Sequence, residues 1–297
     1  MAIPAPLRRA WRGIKYRGYG QGWLNRASRR RFEALRPTLG EAQARVVADL
    51  RRDGFALADV RELVADLWPE AAEVGRAFIA SERVRRGIEA YRPQEGKARG
   101  KDYIVKLHES RPSLPASDPW LRIGLSSALL DTVSSYLGLW PKLNYVDLWY
   151  TIPSPVERQA QASQRWHRDP EDERLVKVFL YLSDVGAASG PLEYVRGSHG
   201  DGRWAGLFPN PDPGTASYPP KGEIELRIPA ADRVLATGAA GTLVFCDTYG
   251  FHRGGLATEQ ARVLATWSYV TPASIFARRF DVEGSTDPGD AAGFAVR

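Results

Sequence analysis

His167 and Asp169 stand two residues apart, and a second histidine, His252, lies far along the chain. In an extended segment alternate side chains point to the same side, so His167 and Asp169 can bind one ion together. Two histidines and one carboxylate form the ligand set of a non-haem Fe(II) site with open positions for a cosubstrate and dioxygen. Arg262 can clamp a dicarboxylate cosubstrate, because guanidinium binds carboxylate in a planar two-point contact. The sequence therefore predicts that His167, Asp169 and His252 are both the metal ligands and the catalytic residues.

Four stretches with strand character surround these residues. A β-rich run follows the His-x-Asp motif at 176–183, and a short strand leads into a Gly-Ser turn within 189–199. The segment 241–255 delivers His252 at the end of a strand, and Arg262 begins the strand that returns beside it. His252 can complete the metal face only if the intervening strands fold back beside the first.

The order of these motifs resembles that of the phytanoyl-CoA dioxygenase family of Fe(II)- and 2-oxoglutarate-dependent oxygenases. Two blocks carry the resemblance, GPLEYVRGSH at 190–199 and FCDTYGFHRGG at 245–255 followed by Arg262. The resemblance extends roughly from Asp53 to Thr271. It implies a mainly β fold with helices (α+β): a double-stranded β-helix, the cupin-like jelly roll, with flanking helices. The cofactors that it implies are Fe(II), 2-oxoglutarate as cosubstrate, and O2.

The resemblance also suggests residues that supplement the cosubstrate clamp. Lys106 lies on a predicted strand ahead of the His-x-Asp motif, where some relatives carry a lysine that binds the cosubstrate. Many relatives carry Ser or Thr two residues after the distal histidine, and here that position is Gly254. We therefore expect the hydroxyl to come from Ser268 or Thr266, which share the strand of the clamp, or from Tyr150 on the strand 144–151.

The reaction implied is hydroxylation of an unactivated C–H bond in a small molecule or in a lipid- or glycolipid-type metabolite. Desaturation, cyclisation and epimerisation use the same four residues, and the sequence leaves them open. Asp169 contradicts the carboxylate-less site of the iron halogenases. A non-catalytic jelly-roll binding protein is the remaining class, and it would bind iron and 2-oxoglutarate without releasing succinate. No motif identifies the primary substrate.

Other potential ligands have plainer interpretations. His199 belongs to the Gly-Ser-His turn, where the family has a structural residue. Asp247 lies five residues before His252. At a strand end this spacing does not place the two side chains on one face of a metal ion. His108 lies on a predicted strand near the expected substrate pocket, and we interpret it as a core or surface histidine.

The positive charge of the chain is concentrated at its N-terminus. Of the net charge of +6, residues 1–36 carry +9 and the remainder carries −3. Aromatic side chains are interleaved with these basic residues, a mixture typical of segments that lie on anionic membrane surfaces. An arm that packs on the body or on a sister subunit is also consistent with this composition. The rest of the chain offers no basic groove, so we expect no nucleic-acid partner.

We expect three parts. The composition indicates a basic arm (1–37), the resemblance implies a jelly-roll domain (38–272), and a C-terminal tail (273–297) follows, whose Gly- and Asp-rich end we expect to fray. Apolar periodicity predicts helices over 38–50, 61–90 and 120–138. The single cysteine, Cys246, excludes an intramolecular disulfide and suits a reducing compartment. We expect a cytoplasmic enzyme, peripheral at the inner membrane surface if the arm binds lipid. The sequence does not indicate an oligomeric state.

Overall fold

The computed structural model describes residues 7, 11, 13–14, 16–92, 101–108, 111–154, 160, 162–212, 214–284 and 289–297. Its helices are α1 (Tyr19–Leu24), α2 (Arg26–Ala34), α3 (Glu41–Asp53), α4 (Val60–Val64), α5 (Trp68–Ile79), α6 (Glu82–Ala90), α7 (Pro119–Gly124), α8 (Ser127–Leu137), α9 (Glu223–Arg227) and α10 (Ala291–Ala295). Its strands are β1 (Phe55–Asp59), β2 (Ile104–Lys106), β3 (Ser113–Pro115), β4 (Lys142–Thr151), β5 (Leu175–Tyr181), β6 (Leu192–Val195), β7 (Arg233–Ala236), β8 (Thr242–Cys246), β9 (His252–Gly254), β10 (Arg262–Val270) and β11 (Asp281–Glu283). Among the described residues, no helix is both long enough and apolar enough to cross a membrane.

Two antiparallel sheets form the body of the protein. The larger has six strands in the order β1-β8-β5-β10-β4-β2, and the smaller has three in the order β7-β6-β9. Side chains from both sheets meet in one apolar cluster, so the sheets face each other. From β5 onwards the chain passes back and forth between the sheets: β5, β8 and β10 lie in the larger one, and β6, β7 and β9 lie in the smaller one. This arrangement is the double-stranded β-helix, or jelly roll, that the family resemblance implies. The strands β3 and β11 form a separate parallel pair.

The central strands β5 and β10 are buried on both faces, with every residue of each shielded from solvent. Val178 packs into the main core against the helices, whereas Phe179 and Leu264 face the smaller sheet. Because the side-chain period of a strand is two, Lys177 and Arg262 share that inner face with Phe179 and Leu264. The fold therefore places two basic residues in the space between the sheets.

Helices pack on the outer face of the large sheet and complete the main core. The helix α3 confirms the prediction over 38–50, and it ends at Gly54 in the left-handed conformation with φ 73°. A side chain at Gly54 would also clash with Tyr194 and His199. The sharp turn from α3 into β1 therefore depends on glycine.

The other two predicted helices are each divided. The segment 61–90 forms α4, α5 and α6, and 120–138 forms α7 and α8. Ser81 and Ser126 act as N-caps whose hydroxyls accept hydrogen bonds from backbone N–H groups in the first turn of α6 and α8. Pro69 stands in the first turn of α5, where its missing N–H costs nothing. The predicted apolar stripes were correct, but these helix-start signals divide each predicted helix into shorter ones.

Part of the basic arm packs on the body. Gln21 Nε2 donates to Asp172 Oδ1 at 2.5 Å, and Asn25 Oδ1 accepts from Ala273 N at 3.0 Å. Phe32 in α2 is only 5% exposed. Among the described residues of the arm, five large apolar side chains instead remain 60% to 68% exposed: Leu7, Trp11, Ile14, Trp23 and Leu35.

The end of the chain also packs on the body. Ala295 and Val296 are 1% and 4% exposed and belong to the main core. Asp290 caps α10 by accepting from Gly293 N at 2.6 Å, and Lys142 Nζ donates to the carbonyl of Phe294 at 2.7 Å. The expectation that this end frays is therefore wrong for 289–297. A cap and a short apolar helix outweigh the polar composition of the segment.

Candidate active site

His167, Asp169 and His252 come together where β9 meets the segment that precedes β5. His167 and His252 form an antiparallel bridge, with N–O distances of 3.0 and 3.1 Å. Asp169 N donates to Thr248 O at 2.9 Å, which keeps the segment extended and places His167 and Asp169 on one side. One ligand atom from each of the three residues lies within 4.8 Å of the other two. The structure thus brings the predicted metal ligands together.

Backbone carbonyls orient both imidazole rings. His167 Nδ1 lies 2.8 Å from Arg165 O, and His252 Nδ1 lies 3.0 Å from Gly250 O. Since a carbonyl can only accept, each Nδ1 carries the proton and each Nε2 keeps its lone pair. The two Nε2 atoms lie 3.6 and 3.4 Å from the carboxylate oxygens of Asp169. Cis ligands at about 2.1 Å from one ion stand ~3 Å apart, so the donor set fits a divalent metal.

Lys177 bounds the site on the β5 side. Its Nζ lies 2.5 Å from Asp169 Oδ2 and 3.0 Å from Glu171 Oε1, and its side chain is 9% exposed. Burial alone would raise the pKa of Asp169, but the charge of Lys177 outweighs it and holds that pKa well below its usual range. Burial would likewise lower the pKa of Lys177, but Asp169 and Glu171 raise it well above its usual range. The carboxylate is therefore ionised before any metal arrives.

The imidazole ring of His252, beside this carboxylate, is neutral. Burial, followed by the neighbouring His167, lowers the pKa of His252 below its ordinary value. A metal ligand must offer a free lone pair, so binding does not compete with protonation at neutral pH. The protonation states of Asp169 and His252 therefore match those that a metal requires.

An open cavity of about 480 Å³ adjoins the three ligands. Its wall includes Tyr145 and Trp149 from β4, Phe179 from β5 and Leu192 from β6. Cavities of roughly 300–1,000 Å³ with a few convergent polar groups are typical of sites for small ligands. The metal face therefore opens into a space that can hold an organic molecule.

Arg262 lines the same cavity and is 8% exposed. Its Nη1 donates to Gly190 O, whereas its Nε is buried with no hydrogen-bond partner among the described residues. A Cβ added at Gly254 would lie 3.7 Å from Arg262 Nη2 and 3.7 Å from Ser163 O, so there is space beside the guanidinium. A buried, partly unsatisfied guanidinium is costly unless an anion occupies its free edge. Arg262 is positioned to receive a carboxylate in the cavity of the three ligands.

The family model for phytanoyl-CoA dioxygenase (PhyH) matches residues 118–263, a range that contains the three ligands and Arg262. This match confirms the resemblance to the phytanoyl-CoA dioxygenase family that the motifs predict. No curated protein matches it.

Solved structures share the fold of this chain at low sequence identity. The epimerase SnoN, solved with Fe3+, alpha ketoglutarate and nogalamycin RO, is 18% identical over 80% of this chain and 86% of that chain, with a TM-score of 0.53. EctD from S. alaskensis, solved with 2-oxoglutarate and 5-hydroxyectoine, is 18% identical over 88% of this chain and 86% of that chain, with a TM-score of 0.51. These likenesses establish a common jelly-roll fold.

Lys106 and Tyr150, two of the cosubstrate residues predicted from the family, lie elsewhere than beside Arg262. Lys106 lines the cavity, but its Nζ stands 3.9 Å from Asp147 Oδ2. Tyr150 packs against the main core, on the face of β4 opposite to the cavity-lining Trp149. Of these two residues, only Lys106 reaches the cavity, where its ammonium group lies near Asp147.

Thr266 and Ser268 lie on the inner face of β10, as their parity predicts. Their hydroxyls are buried without a hydrogen-bond partner among the described residues. Ser268 is paired with Lys177 on one side and with Tyr145 on the other. At about 3.3 Å per residue, Ser268 stands roughly 20 Å from Arg262 along the strand. The structure does not bring Ser268 to the carboxylate that Arg262 would bind.

Sequence reasoning missed Ser163 and Tyr103, which lie on the Arg262 side of the cavity. Ser163 O is the backbone atom beside Gly254, and Ser163 Oγ lies 3.5 Å from Tyr103 OH. Neither residue has a motif spacing that could have indicated it. Lys177 could have been predicted, because a lysine within the apolar run of β5 must be buried and therefore needs a carboxylate as its ion-pair partner.

The rival ligands have structural partners. His199 Nε2 lies 3.2 Å from Arg51 O, and Asp247 Oδ2 accepts from Tyr136 OH at 2.6 Å. His108 lines the cavity, where burial lowers its pKa. Among the described residues, the group of histidine, cysteine and carboxylate side chains that can hold a metal is the one formed by His167, Asp169 and His252.

The irregular stretch 200–222 covers the His167 side of the site. The ring of Tyr218 stacks on His167 with centroids 5.9 Å apart. Arg168, fully buried between the two ligands of the motif, donates through Nη2 to Ala205 O at 2.7 Å, and its backbone N donates to Ser217 O at 3.0 Å. A long loop inside a compact domain is usually functional, and this one shields His167, one of the three candidate ligands.

Proposed function

We propose that the protein is an Fe(II)- and 2-oxoglutarate-dependent dioxygenase that hydroxylates an unactivated C–H bond of a small-molecule or lipid-type metabolite. The observation that carries the proposal is a single cavity that contains both a facial donor set with free Nε2 atoms and a buried, partly unsatisfied guanidinium. SnoN was solved with Fe3+ and alpha ketoglutarate bound, and EctD was solved with 2-oxoglutarate and, in another structure, with Fe. Their shared fold supports the same cofactors here.

The side chains divide the work of binding and orientation. His167, Asp169 and His252 would hold Fe(II) on one face, and Arg262 would bind the distal carboxylate of 2-oxoglutarate. Iron with this cosubstrate supplies the oxidising chemistry, in which 2-oxoglutarate, O2 and R–H give succinate, CO2 and R–OH. Lys177 holds Asp169 in orientation from outside the metal face, and Tyr218 limits the access of water to His167. The protein thus contributes positioning and exclusion of solvent.

Epimerisation is the second candidate outcome, because SnoN, which shares the fold, is an epimerase. Desaturation and cyclisation would use the same residues. The outcomes differ in the mass of the organic product. Hydroxylation adds one oxygen atom, epimerisation leaves the composition unchanged, and desaturation or ring closure removes two hydrogen atoms.

We also propose that the arm brings the enzyme to an anionic membrane surface. Residues 1–36 carry +9, and the exposed Leu7, Trp11, Ile14 and Trp23 can enter the interface between headgroups and acyl chains. This location would suit a lipid- or glycolipid-type substrate.

The function is tested by incubating the purified full chain with Fe(II), 2-oxoglutarate, O2 and a panel of candidate metabolites, and by measuring succinate. We expect succinate formation that requires iron and rises with one class of metabolite, whose product is then weighed by mass spectrometry. Asp169→Ala is the matched control and should form no succinate. Tight binding of iron and 2-oxoglutarate with no succinate under any condition would instead indicate a binding protein.

A further inference from the structure

A stacked pair of aromatic rings forms one wall of the cavity. Tyr145 and Trp149 are alternate inward-facing residues of β4, and their ring centroids lie 6.4 Å apart at an interplanar angle of 19°. The Trp149 indole N–H donates to Asp147 Oδ2 at 2.8 Å, which fixes the ring in place. The wall is therefore rigid, with both rings held against the sheet.

Four cations surround these two rings. Lys101 Nζ and Lys106 Nζ lie 5.4 and 5.6 Å from the centroid of Trp149. Lys177 Nζ and the guanidinium carbon of Arg279 lie 5.7 and 5.5 Å from the centroid of Tyr145. All four side chains line the cavity that contains the metal ligands. Such a convergence of like charges is unfavourable without anions to balance it.

Only two of the four have a carboxylate partner among the described residues. Lys177 is held by Asp169 and Glu171, and Lys106 stands 3.9 Å from Asp147. Lys101 and Arg279 have no carboxylate within ion-pair distance in the described part of the chain. Partial desolvation by the cavity wall, followed by the charge of Lys177, lowers the pKa of Lys101, although its side chain still reaches solvent.

We infer that the substrate is an anion, and that Lys101 and Arg279 bind its carboxylate or phosphate group against the wall of Tyr145 and Trp149. This inference rests on the proposed function only in taking the cavity as the substrate site. The cosubstrate has its own cation, Arg262. The charges of Lys101 and Arg279 therefore remain for the molecule that is oxidised, and they select acidic substrates over neutral ones.

The inference is tested by calorimetric binding of three probes to the full chain: phenyl phosphate, benzoate and the neutral benzyl alcohol. The measurements are made without iron or O2, in the absence and presence of saturating 2-oxoglutarate, so that no turnover is required. We expect phenyl phosphate or benzoate to bind and benzyl alcohol not to bind. The preferred acid distinguishes a phosphate from a carboxylate substrate.

Two variants assign the contacts. Lys101→Met and Arg279→Met should each lower the affinity for the preferred probe by about tenfold or more, as expected for the loss of a charge-assisted hydrogen bond. Both side chains are exposed at the cavity mouth, so the fold should persist, and thermal unfolding checks this. Lys221→Met, at an exposed lysine outside the cavity lining, is the matched control and should bind like the parent chain.

Three results would overturn the inference. The first is equal binding of the acidic and neutral probes, and the second is full affinity for the acidic probe in both variants. The third is that 2-oxoglutarate displaces the probe and that Arg262→Met no longer binds the probe. The last would place the anion in the cosubstrate site. Succinate formation is measured separately, so binding that depends on Lys101 without any succinate would refute the proposed function and leave the anion site intact.

Discussion

Lys177 Nζ lies 2.5 Å from Asp169 Oδ2, so a buried lysine contacts the carboxylate of the candidate metal face. The same amine lies 3.0 Å from Glu171 Oε1, and its side chain is 9% exposed. One cation therefore balances two buried carboxylates when no metal is bound. This relationship makes Lys177 both an orienting group for Asp169 and a competitor of the metal for its charge.

Replacing Lys177 by Met should destabilise the metal-free chain more than the metal-loaded chain. Two buried carboxylates would lose their cation, which typically costs about 3–5 kcal/mol of unfolding free energy. A divalent ion restores part of that charge balance, so Mn(II), as a redox-stable substitute for Fe(II), should raise the melting temperature more in the variant than in the parent. Calorimetry with and without Mn(II) measures this. An equal metal-induced shift in both proteins would contradict the account, and Lys221→Met serves as the neutral control.

Arg262→Ala should weaken 2-oxoglutarate binding far more than metal binding. A buried carboxylate that loses its charge-assisted partner forfeits about 2–5 kcal/mol, or some 30-fold and upwards in affinity. Arg262→Lys should recover only part of this loss, because an ammonium lacks the planar fork. Calorimetric titration of the metal-free chain with Mn(II), and then of the Mn(II)-loaded chain with 2-oxoglutarate, gives the two affinities. An unchanged cosubstrate affinity in Arg262→Ala would remove this residue from the site.

Gly254→Ser should be tolerated and should tighten the binding of 2-oxoglutarate. The nearest atoms to a Cβ at this position are 3.7 Å away, one of them Arg262 Nη2, so a hydroxyl fits beside the clamp. One added hydrogen bond is worth about 0.5–1.5 kcal/mol, or two- to tenfold in affinity. The neighbouring Gly255→Ser is the contrast, because its Cβ would lie 2.7 Å from Pro191 O and should disrupt the fold. Weaker binding in Gly254→Ser would show that the hydroxyl is misplaced.

The full chain should co-sediment with vesicles of anionic lipid and not with neutral ones. Each basic residue near an anionic surface contributes about 1 kcal/mol, and added salt should therefore weaken the association. Replacing four exposed apolar residues of the arm by Ser should weaken the association with vesicles further without unfolding the protein. These residues are Leu7, Trp11, Ile14 and Trp23. A double replacement of Leu226 and Leu235, which are 77% and 49% exposed elsewhere, is the control. Equal, salt-insensitive sedimentation of all three proteins would leave the arm with a packing role only.

Local sequence was sufficient to predict that His167 and Asp169 point to the same side, and to predict the bounds of single elements. The spacing of His167 and Asp169 required only that the segment be extended, and the strand that carries Arg262 begins at the expected residue. The helix α3 was also predictable, because its apolar stripe is followed by Gly54 in the left-handed conformation. In each case the deciding interactions lie within a few residues along the chain.

The parts that could not be predicted depend on contacts between distant segments. The pairing of Lys177 with Asp169 and Glu171 requires the turn that leads into β5. The position of Ser163 beside Gly254 requires β9 to lie against the segment before the motif. The docking of Val296 into the main core depends on a surface that no local pattern describes.

Metal binding by single ligand variants tests the central claim most directly. We expect the parent chain to bind one Mn(II) or Fe(II) ion under anaerobic conditions, as measured by calorimetry and by metal analysis after dialysis. His167→Ala, Asp169→Ala and His252→Ala should each abolish this binding while their circular dichroism spectra remain native, because no neighbouring group can replace a lost ligand at the required distance. His199→Ala should bind the ion like the parent, since its imidazole contacts Arg51 O instead. Retention of the ion by folded variants of the three ligands, or an equal loss in His199→Ala, would contradict the assignment of the site.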